Sequence, residues 1–542
     1  MNQTCDPDIE VPVLIVGGGP VGLCTSLLLS RFGVPSLLVE RHPATSIHPR
    51  ARGLNVRTME LLRTWGLERE VREAGRALEN ATDVVWAESL AGRELRRVPA
   101  GGRRENVRPV SPTTGCTCAL DGLEPVLLAK AQGYAVGSIA FGHELTGVQT
   151  GAAEVTATVR RHSTGQELTV QAGYLVAADG ANSGVRQALG VAAPGPGILN
   201  QQVGIYFEAP LGHLVVDRPA VLYFIENAAI SGLFAAVDNA DRWVFYTGRP
   251  PDWDPAAGGL AAERCVELVR LAAGLPDLAV RVRSVLPWAM AAQTAQRFRA
   301  GRVFLAGDAA HLIPPVGGYG MNTGIQDAHN LAWKLAGVLA GWAGSSVLDT
   351  YEAERQPVAQ FVTEQALLNM RQPGRPEQYA SLGLALGVSY DSAAVVADGS
   401  TVPEIANPVT DYVPAARPGS RAPHAWLRRG GERVSAIDLF DTAFTLLAGT
   451  SGQPWRDAAV TASRDLGMPL AACTVGRGGE LGDEDGTWAQ LYGIGPDGAV
   501  LVRPDGHVAW RSAGSGAEPR AELIRVLRAV LGQARTRAAG DV

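Results

Sequence analysis

The sequence predicts an α/β protein of several units: a βαβ nucleotide-binding unit, a separate mainly antiparallel sheet, and a small α/β unit at the C-terminal end. Three observations predict it. Residues 11 to 40 run from an apolar strand through a glycine turn into a helix and a second strand. Residues 201 to 248 hold short strand-like runs separated by turn-formers. Beyond about residue 420, short apolar strands alternate with helical stretches. At 542 residues the chain is too long for one compact core, so two or three domains are expected.

In order, the opening unit reads VPVLIV, GGGPVG, LCTSLLLSRFG, VPSLLVE. Helical spacing returns over 53 to 75 and over 121 to 132, the latter behind Asp121 as a candidate N-cap. The period becomes two from 153 to 178 and stays so through QQVGIYFEA, AVLYFIE, GLFAAV and RWVFYTG, which predict the separate sheet. A proline and glycine rich loop at 250 to 259 precedes a helix, the strand RVFLAG, and helices over about 321 to 340 and 348 to 370. Residues 373 to 420 lack a sustained period and read as a connector. The remainder gives strands in FTLLAG, PLAACTVG and AVLVRPDGHVAWRS, with helices near 455 to 467, 486 to 492 and 517 to 533.

A charged fraction of 19%, a hydrophobic fraction of 46% and a net charge of −6 describe a soluble globular chain with no electrostatic reason to bind nucleic acid. The N-terminal run enters a glycine turn instead of a cleavage site, and no stretch approaches a membrane span. A cytoplasmic protein is expected, with no membrane partner. Cys5, Cys24, Cys116, Cys118, Cys265 and Cys473 contain no CxxC pair, which predicts neither a disulfide framework nor a metal site. The CxC at Cys116 and Cys118 reads as ordinary thiols.

Gly17, Gly19 and Gly22 form a GxGxxG between a strand and a helix that begins with Pro20 and Val21, and Glu40 ends the next strand. Glycines permit a tight turn and close approach of a pyrophosphate to the helix N-terminus, and a carboxylate at that distance reaches ribose hydroxyls. The pattern alone is weak. Gly493, Gly495 and Gly498 match it too, but without a leading strand and with a strand following, so they read as turns. YLVAADGANSGVR places Asp179 and Arg186 just after a strand, a feature shared with any Asp-Gly turn. The most specific run is RVFLAGDAAHLIPPVGGYGMNTGIQDAHNLAWKL, where a strand delivers Gly307 and Asp308 and a stiff Pro314-Pro315 with Gly317, Gly318 and Gly320 leads into a helix near Met321 and Asn322. That carboxylate suits a polyol chain, and the helix N-terminus suits the part of a flavin that becomes anionic on reduction.

On these motifs the chain resembles the FAD-dependent aromatic hydroxylases of the para-hydroxybenzoate hydroxylase class, the group A flavoprotein monooxygenases, and among them the bacterial polyketide hydroxylases. The resemblance covers essentially the whole chain. It implies a Rossmann-like FAD-binding domain over 1 to 190 and 285 to 400, with 75 to 115 on the substrate side. It further implies an antiparallel-sheet substrate domain over 191 to 284 and a thioredoxin-like domain over 415 to 542. By the same resemblance Gly17, Gly19 and Gly22 hold the pyrophosphate, Glu40 the adenosine ribose, Arg41 the adenine side and Asp308 the ribityl chain or pyrophosphate. Arg50 or Arg52 neutralises phosphate or lines the path to the flavin. Asp179 and Arg186 belong to a DG motif linked to FAD and NADPH, and Pro315, Gly318, Gly320, Met321 and Asn322 flank the isoalloxazine ring. Leu120 stands where relatives usually carry a cofactor-contacting Gln. Cys473, alone in its domain, excludes a dithiol redox role and leaves a structural or homodimer-contact role.

The activity so implied is hydroxylation of an aromatic polyketide in natural-product biosynthesis, with NADPH (or NADH) and O2 as co-substrates and oxygen carried at the flavin C4a carbon. Baeyer–Villiger insertion or epoxidation on the same scaffold, and a non-catalytic flavin-binding redox protein, are the alternatives. Pro315, Gly318 and His311 are the catalytic candidates, with a capping or packing role as the other reading of His311. Tyr206, Tyr223, Phe224, Trp288, Met290 and Pro315 are the substrate candidates. Alternate strand residues face opposite sides, so only some of the aromatic ones line a pocket.

Overall fold

The computed structural model describes residues 7–99, 107–254, 259–372 and 381–533. Its first sheet is built on five parallel strands, in the spatial order Val303–Leu305, Glu167–Ala177, Ile9–Val16, Ser36–Glu40 and Gly137–Phe141. Val13, Leu14 and Ile15 are fully buried at its centre, as a parallel strand covered on both faces requires. Antiparallel strands His143–Thr150 and Val155–Arg161 extend the sheet from Glu167–Ala177. Register gathers the motifs at one place. Val16 pairs with Val39 and Ala177, and Ala177 pairs with Leu305, so the glycine turn, Glu40, the Asp-Gly turn and the Gly-Asp turn all leave the same end of the sheet. This is the crevice in which open α/β sheets bind ligands.

The second sheet runs His311–Leu312, Arg281–Thr294, Gly197–Glu208, Arg242–Gly248, Ser231–Ala236, Ala220–Glu226, Asp83–Ala87 and Glu94–Pro99, antiparallel except between Ala220–Glu226 and Asp83–Ala87. The expected boundary at 284/285 falls inside the strand Arg281–Thr294, which stays with this sheet over its whole length, pairing with Gly197–Glu208 up to Ala292 and with His311–Leu312 beyond it. One face is apolar core, with Val203, Ile205, Phe207, Phe234, Trp243 and Phe245 packed with the helix Ala262–Ala273. The other face carries Gly204, Tyr206, Val244 and Tyr246.

Tyr223 corrects a substrate-site expectation. It is fully buried on the core side, where its hydroxyl donates to the Arg218 carbonyl at 3.0 Å and accepts from the Ala220 amide at 2.8 Å. Strand alternation sends only its neighbour Phe224 to the opposite face.

The C-terminal sheet has the order Leu470–Thr474, Phe444–Ala448, Ala499–Val502, Val508–Ser512. Its first pair is parallel and the rest antiparallel, with helices Gln453–Leu466 and Pro519–Val530 against it. Gly493, at φ 60°, ends the helix Thr487–Tyr492, which accounts for the second glycine pattern as turn geometry. Of the connector, 373–380 lies outside the described residues, and a short helix Leu382–Leu386 packs its Ala385 and Leu386 with Val56. Asp121 lies inside the first turn of the helix Leu120–Gln132 and not at its N-cap, which is Ala119.

Candidate active site

At the nucleotide end, the three glycines of the first turn differ in what they permit. A Cβ on Gly17, whose φ is +108°, would lie 2.2 Å from the Ala178 carbonyl oxygen, and one on Gly22 would lie 1.9 Å from that of Gly17. These two allow chain to pass chain. Gly19 has nothing within 4 Å of that position and stands at the N-cap of the helix Pro20–Arg31, which no side chain caps. Open space in front of unpaired amides suits an anionic group such as pyrophosphate.

Val21 packs behind the turn: Cβ atoms on Gly307 and Gly324 would lie 2.8 and 2.7 Å from its Cγ2. Glu40 accepts from the Gly18 amide at 2.6 Å and from the His42 amide at 2.8 Å, which holds its carboxylate at the mouth of the glycine turn. Arg41 and Arg50 are exposed. Asp179 accepts from the Val185 amide at 3.1 Å through one oxygen, while its other oxygen is buried and, among the described residues, has no partner. Arg186 donates to the Ala309 carbonyl at 2.9 Å and the Ala181 carbonyl at 3.3 Å, tying the Asp-Gly turn to the Gly-Asp turn. Asp308 is exposed on that turn, yet protein on its other sides raises its carboxyl above the usual range against the pull of His311 and Arg50.

At the other end of the Gly-Asp run, Pro315 and Gly318 are exposed and Gly320 half-buried. Gly317 and Gly318 are left-handed, at φ +103° and +69°. The helix Gly320–Leu339 then begins with no side-chain cap, so its first amides and positive dipole end are open to a ligand. Met321 and Asn322 turn their side chains inward. Met321 joins the core, and Asn322 accepts from the Asn55 amide (2.9 Å) and Thr58 hydroxyl (2.7 Å) while donating to the Gly53 and Gly318 carbonyls (2.8 Å each).

His311 does not face the crevice. It is 1% exposed, and its Nε2 bonds an Asp327 oxygen at 2.7 Å that also accepts from the Gly307 amide. Arg355 donates to the other Asp327 oxygen at 2.8 Å. Burial alone would raise the Asp327 carboxyl, but His311 and Arg355 hold it below the usual range. The arrangement braces the Gly-Asp turn from behind, which corrects the expectation of a catalytic His311. Its place beside the flavin motif is a consequence of sequence proximity and not of access.

Arg50 links these turns to the second face of the antiparallel sheet, since its charge acts on Asp308 on one side and on Tyr246 and His48 on the other. Tyr206, Tyr246 and Trp288 share that face, with Tyr246 and Trp288 edge to face at 6.3 Å. Phe224 is half-buried on it further out, and Met290 follows Trp288 by two residues. Arg52 donates to the Ala236 and Pro49 carbonyls and so reaches the sheet, not the nucleotide turns.

The sequence reading missed His48, which the loop before Arg50 lays on this face. Its Nδ1 pairs with the Ser284 hydroxyl at 2.8 Å and its ring meets Tyr206 edge-on at 5.9 Å. Burial, then Arg50 and Arg52, push its pKa down to about 4, so the ring is neutral at pH 7. The only signal in the sequence was its place two residues ahead of an arginine already singled out.

Comparison with known proteins agrees with this geometry. An FAD binding domain family matches residues 10–366, and an "aromatic-ring hydroxylase, C-terminal" family matches 415–534. A putative polyketide hydroxylase of Streptomyces halstedii is 43% identical over 534 residues, covering 93% of each chain. The solved flavin-dependent monooxygenase PieE, in complex with FAD and substrate, is 36% identical with a TM-score of 0.89 over 98% of this chain and 100% of its own. Aklavinone-11 hydroxylase with FAD and aklavinone is 39% identical with a TM-score of 0.84 over the same shares. The glycine turn with Glu40 at its mouth, the Gly-Asp turn and the uncapped helix, joined to these likenesses, place the chain in the family of FAD-dependent aromatic-ring hydroxylases, as a flavoprotein monooxygenase.

Proposed function

We propose that the protein hydroxylates a flat aromatic polyketide in natural-product biosynthesis, with NADPH or NADH and O2 as co-substrates. The observation that carries this reading is the aromatic sheet face that Arg50 joins to the Gly-Asp turn, with Tyr206, Tyr246 and Trp288 as a wall for planar rings. The relatives named for polyketide and aklavinone chemistry support the substrate class. When bound, FAD supplies the reduction of O2 at the expense of nicotinamide and the transfer of one oxygen atom.

The chain's own residues bind and exclude water. Gly19, Glu40 and Asp308 would hold the pyrophosphate, ribose and polyol, Arg50 would offset phosphate charge, and Pro315, Gly318 and the helix N-terminus would receive the ring system. Asp179, through its unpartnered oxygen, is available to the same cofactor. The sheet face keeps the reacting ring dry. Neutral His48 is held by Ser284 at Nδ1 and offers Nε2 as a hydrogen-bond acceptor to a phenol, while Arg50 and Arg52, which oppose a further positive charge on the ring, favour the phenolate.

The C-terminal unit serves as structure in this reading. Its strand order supports a thioredoxin-like domain, and Cys473 alone supplies no dithiol. The test is a screen of hydroxylated polycyclic aromatics for NADPH oxidation coupled to O2 uptake, with the product's structure determined. Ring hydroxylation is expected. An inserted ring oxygen or an epoxide would move the enzyme to another reaction, and no stimulation by any ring compound would sink the reading.

A further inference from the structure

The aromatic sheet face continues well past the residues that Arg50 joins to the nucleotide turns. Strand register sets Gly204, Tyr246, Leu233, Phe224, Trp86 and Arg96 opposite one another in sequence across neighbouring strands. Residues so paired share one face, and five strand steps span about 24 Å. The two ends of this row differ. At the inner end, a Cβ on Gly204 would lie 2.9 Å from the Tyr246 ring and 3.3 Å from His48 Nε2, so the glycine lets that ring and His48 close over the backbone. At the outer end, Trp86 and Phe224 stack at 5.0 Å with planes 10° apart, and the Arg96 guanidinium lies over Trp86 at 5.0 Å.

Arg96 also differs from its neighbours. Arg93 and Arg97 pair with Glu88 and Glu94 at 2.6 and 2.8 Å, whereas Arg96 is exposed and, among the described residues, has no carboxylate partner. Leu233, Phe224 and Trp86 are only half-buried. An apolar strip that starts at the reacting end and finishes at a guanidinium on an aromatic pair fits a long planar molecule with an anionic far end.

We propose that Arg96, with Trp86 and Phe224, forms a second recognition point for the substrate: it receives the ring of a polycyclic aromatic remote from the oxidised ring and pairs with a carboxylate or ionised phenol there. The inference rests on the polyketide hydroxylase reading and adds a required charge to the substrate class. It is tested on the FAD-loaded enzyme by titrating a hydroxyanthraquinone extended through a rigid aryl arm to a carboxylate about 20 Å from the phenolic ring, the reach that the strand spacing sets, and its methyl ester. Binding is read from the flavin absorbance change without turnover, for the unaltered protein, Arg96→Gln and Arg96→Lys.

The acid's Kd is expected to rise at least about tenfold more than the ester's in Arg96→Gln, with Arg96→Lys between and the difference shrinking at high salt. Equal changes for acid and ester, or none, overturn the subsite. If the acid binds through Arg96 but never stimulates NADPH oxidation, the subsite stands and the hydroxylase reading falls. If it stimulates oxidation indifferent to Arg96, the reverse holds. If neither ligand binds the unaltered protein, both fall.

Discussion

At the scale of single residues, Gly19 and Gly22 separate cofactor binding from folding. A methyl group at Gly19 meets no protein atom, whereas one at Gly22 collides with the Gly17 carbonyl. Gly19→Ala should therefore keep the Tm of the apoprotein and weaken FAD binding by about tenfold or more, equivalent to about 1.4 kcal/mol. Gly22→Ala should lower both. Flavin absorbance per chain and thermal melts of the apoproteins read the two effects, and equal losses in both variants would contradict the assignment.

His48 carries the second prediction. Asn in its place keeps a partner for Ser284 but offers no ring nitrogen to a phenol, so His48→Asn should lower kcat by roughly tenfold, the worth of one hydrogen bond. The loss should shrink as pH rises and the substrate ionises unaided. A pH-independent loss would assign His48 to packing against Tyr206 instead. The glycines were legible in the sequence because the strand before them and the helix after them are local. His48 was not, because its role depends on a loop meeting Ser284, 236 residues away.

At the scale of elements, the fold was legible wherever a period ran long enough. The helix Gly320–Leu339 and the run of strands over 201 to 248 are such cases. What a period cannot tell is which of two faces meets the core. Tyr223 and Phe224 are equally apolar neighbours, and only the packing of the helix Ala262–Ala273 on one side of the sheet settles that Tyr223 is inside. Nor does local sequence show that the start of Gly320–Leu339 is clamped to another segment. Asn322 does this with four bonds, to Asn55, Thr58, Gly53 and Gly318, and so fixes both the uncapped helix end and the glycine loop beside it. Asn322→Ala takes a partner from the Asn55 amide and the fully buried Thr58 hydroxyl, at about 1–3 kcal/mol each, while the Gly53 and Gly318 carbonyls it also loses stand on exposed residues. The expected outcome is a lower Tm with a flavin absorbance band that broadens toward that of free FAD, and Asn322→Asp should rescue only the two accepting bonds. A variant with lower Tm and an unchanged flavin spectrum would separate the clamp from the flavin site.

At the scale of the whole molecule, the C-terminal unit is not a loosely tethered module. Phe444 meets Trp333 edge to face at 5.5 Å, and the largest apolar core runs without a break from the parallel sheet into helices of the C-terminal unit. Buried charge crosses the same boundary. Arg503 grips Glu354 through both nitrogens at 2.6 and 2.9 Å, Lys334 joins Glu354 at 2.8 Å, and Arg421 pairs with Glu60. Burial alone would raise the Glu354 carboxyl, but Arg503 and Lys334 hold it well below the ordinary range.

Acid should therefore loosen the whole chain in two stages. His48 and His424 are pushed down to about 4 chiefly by burial, so below pH 6.5 the unfolded chain takes up protons that the folded one refuses. The stability they contribute is whole above that pH and is lost on the way to pH 4, on the order of 3 kcal/mol each. Glu354 adds its loss further down, below its ordinary value of 4.5, as the paired carboxylate is forced to protonate. Removing one partner of the buried pair tests the unity of the molecule directly. Glu354→Ala strands the buried Lys334, left with Asn330 alone, and leaves Arg503 to Asp505, at a cost of about 3–5 kcal/mol, and adding Lys334→Met should recover part of it. If the shared core and these ions make one cooperative unit, calorimetry will show a single transition that moves down in Glu354→Ala and partly back in the double variant. A C-terminal transition that melts by itself, leaving the flavin in place, would show the two units to be separable.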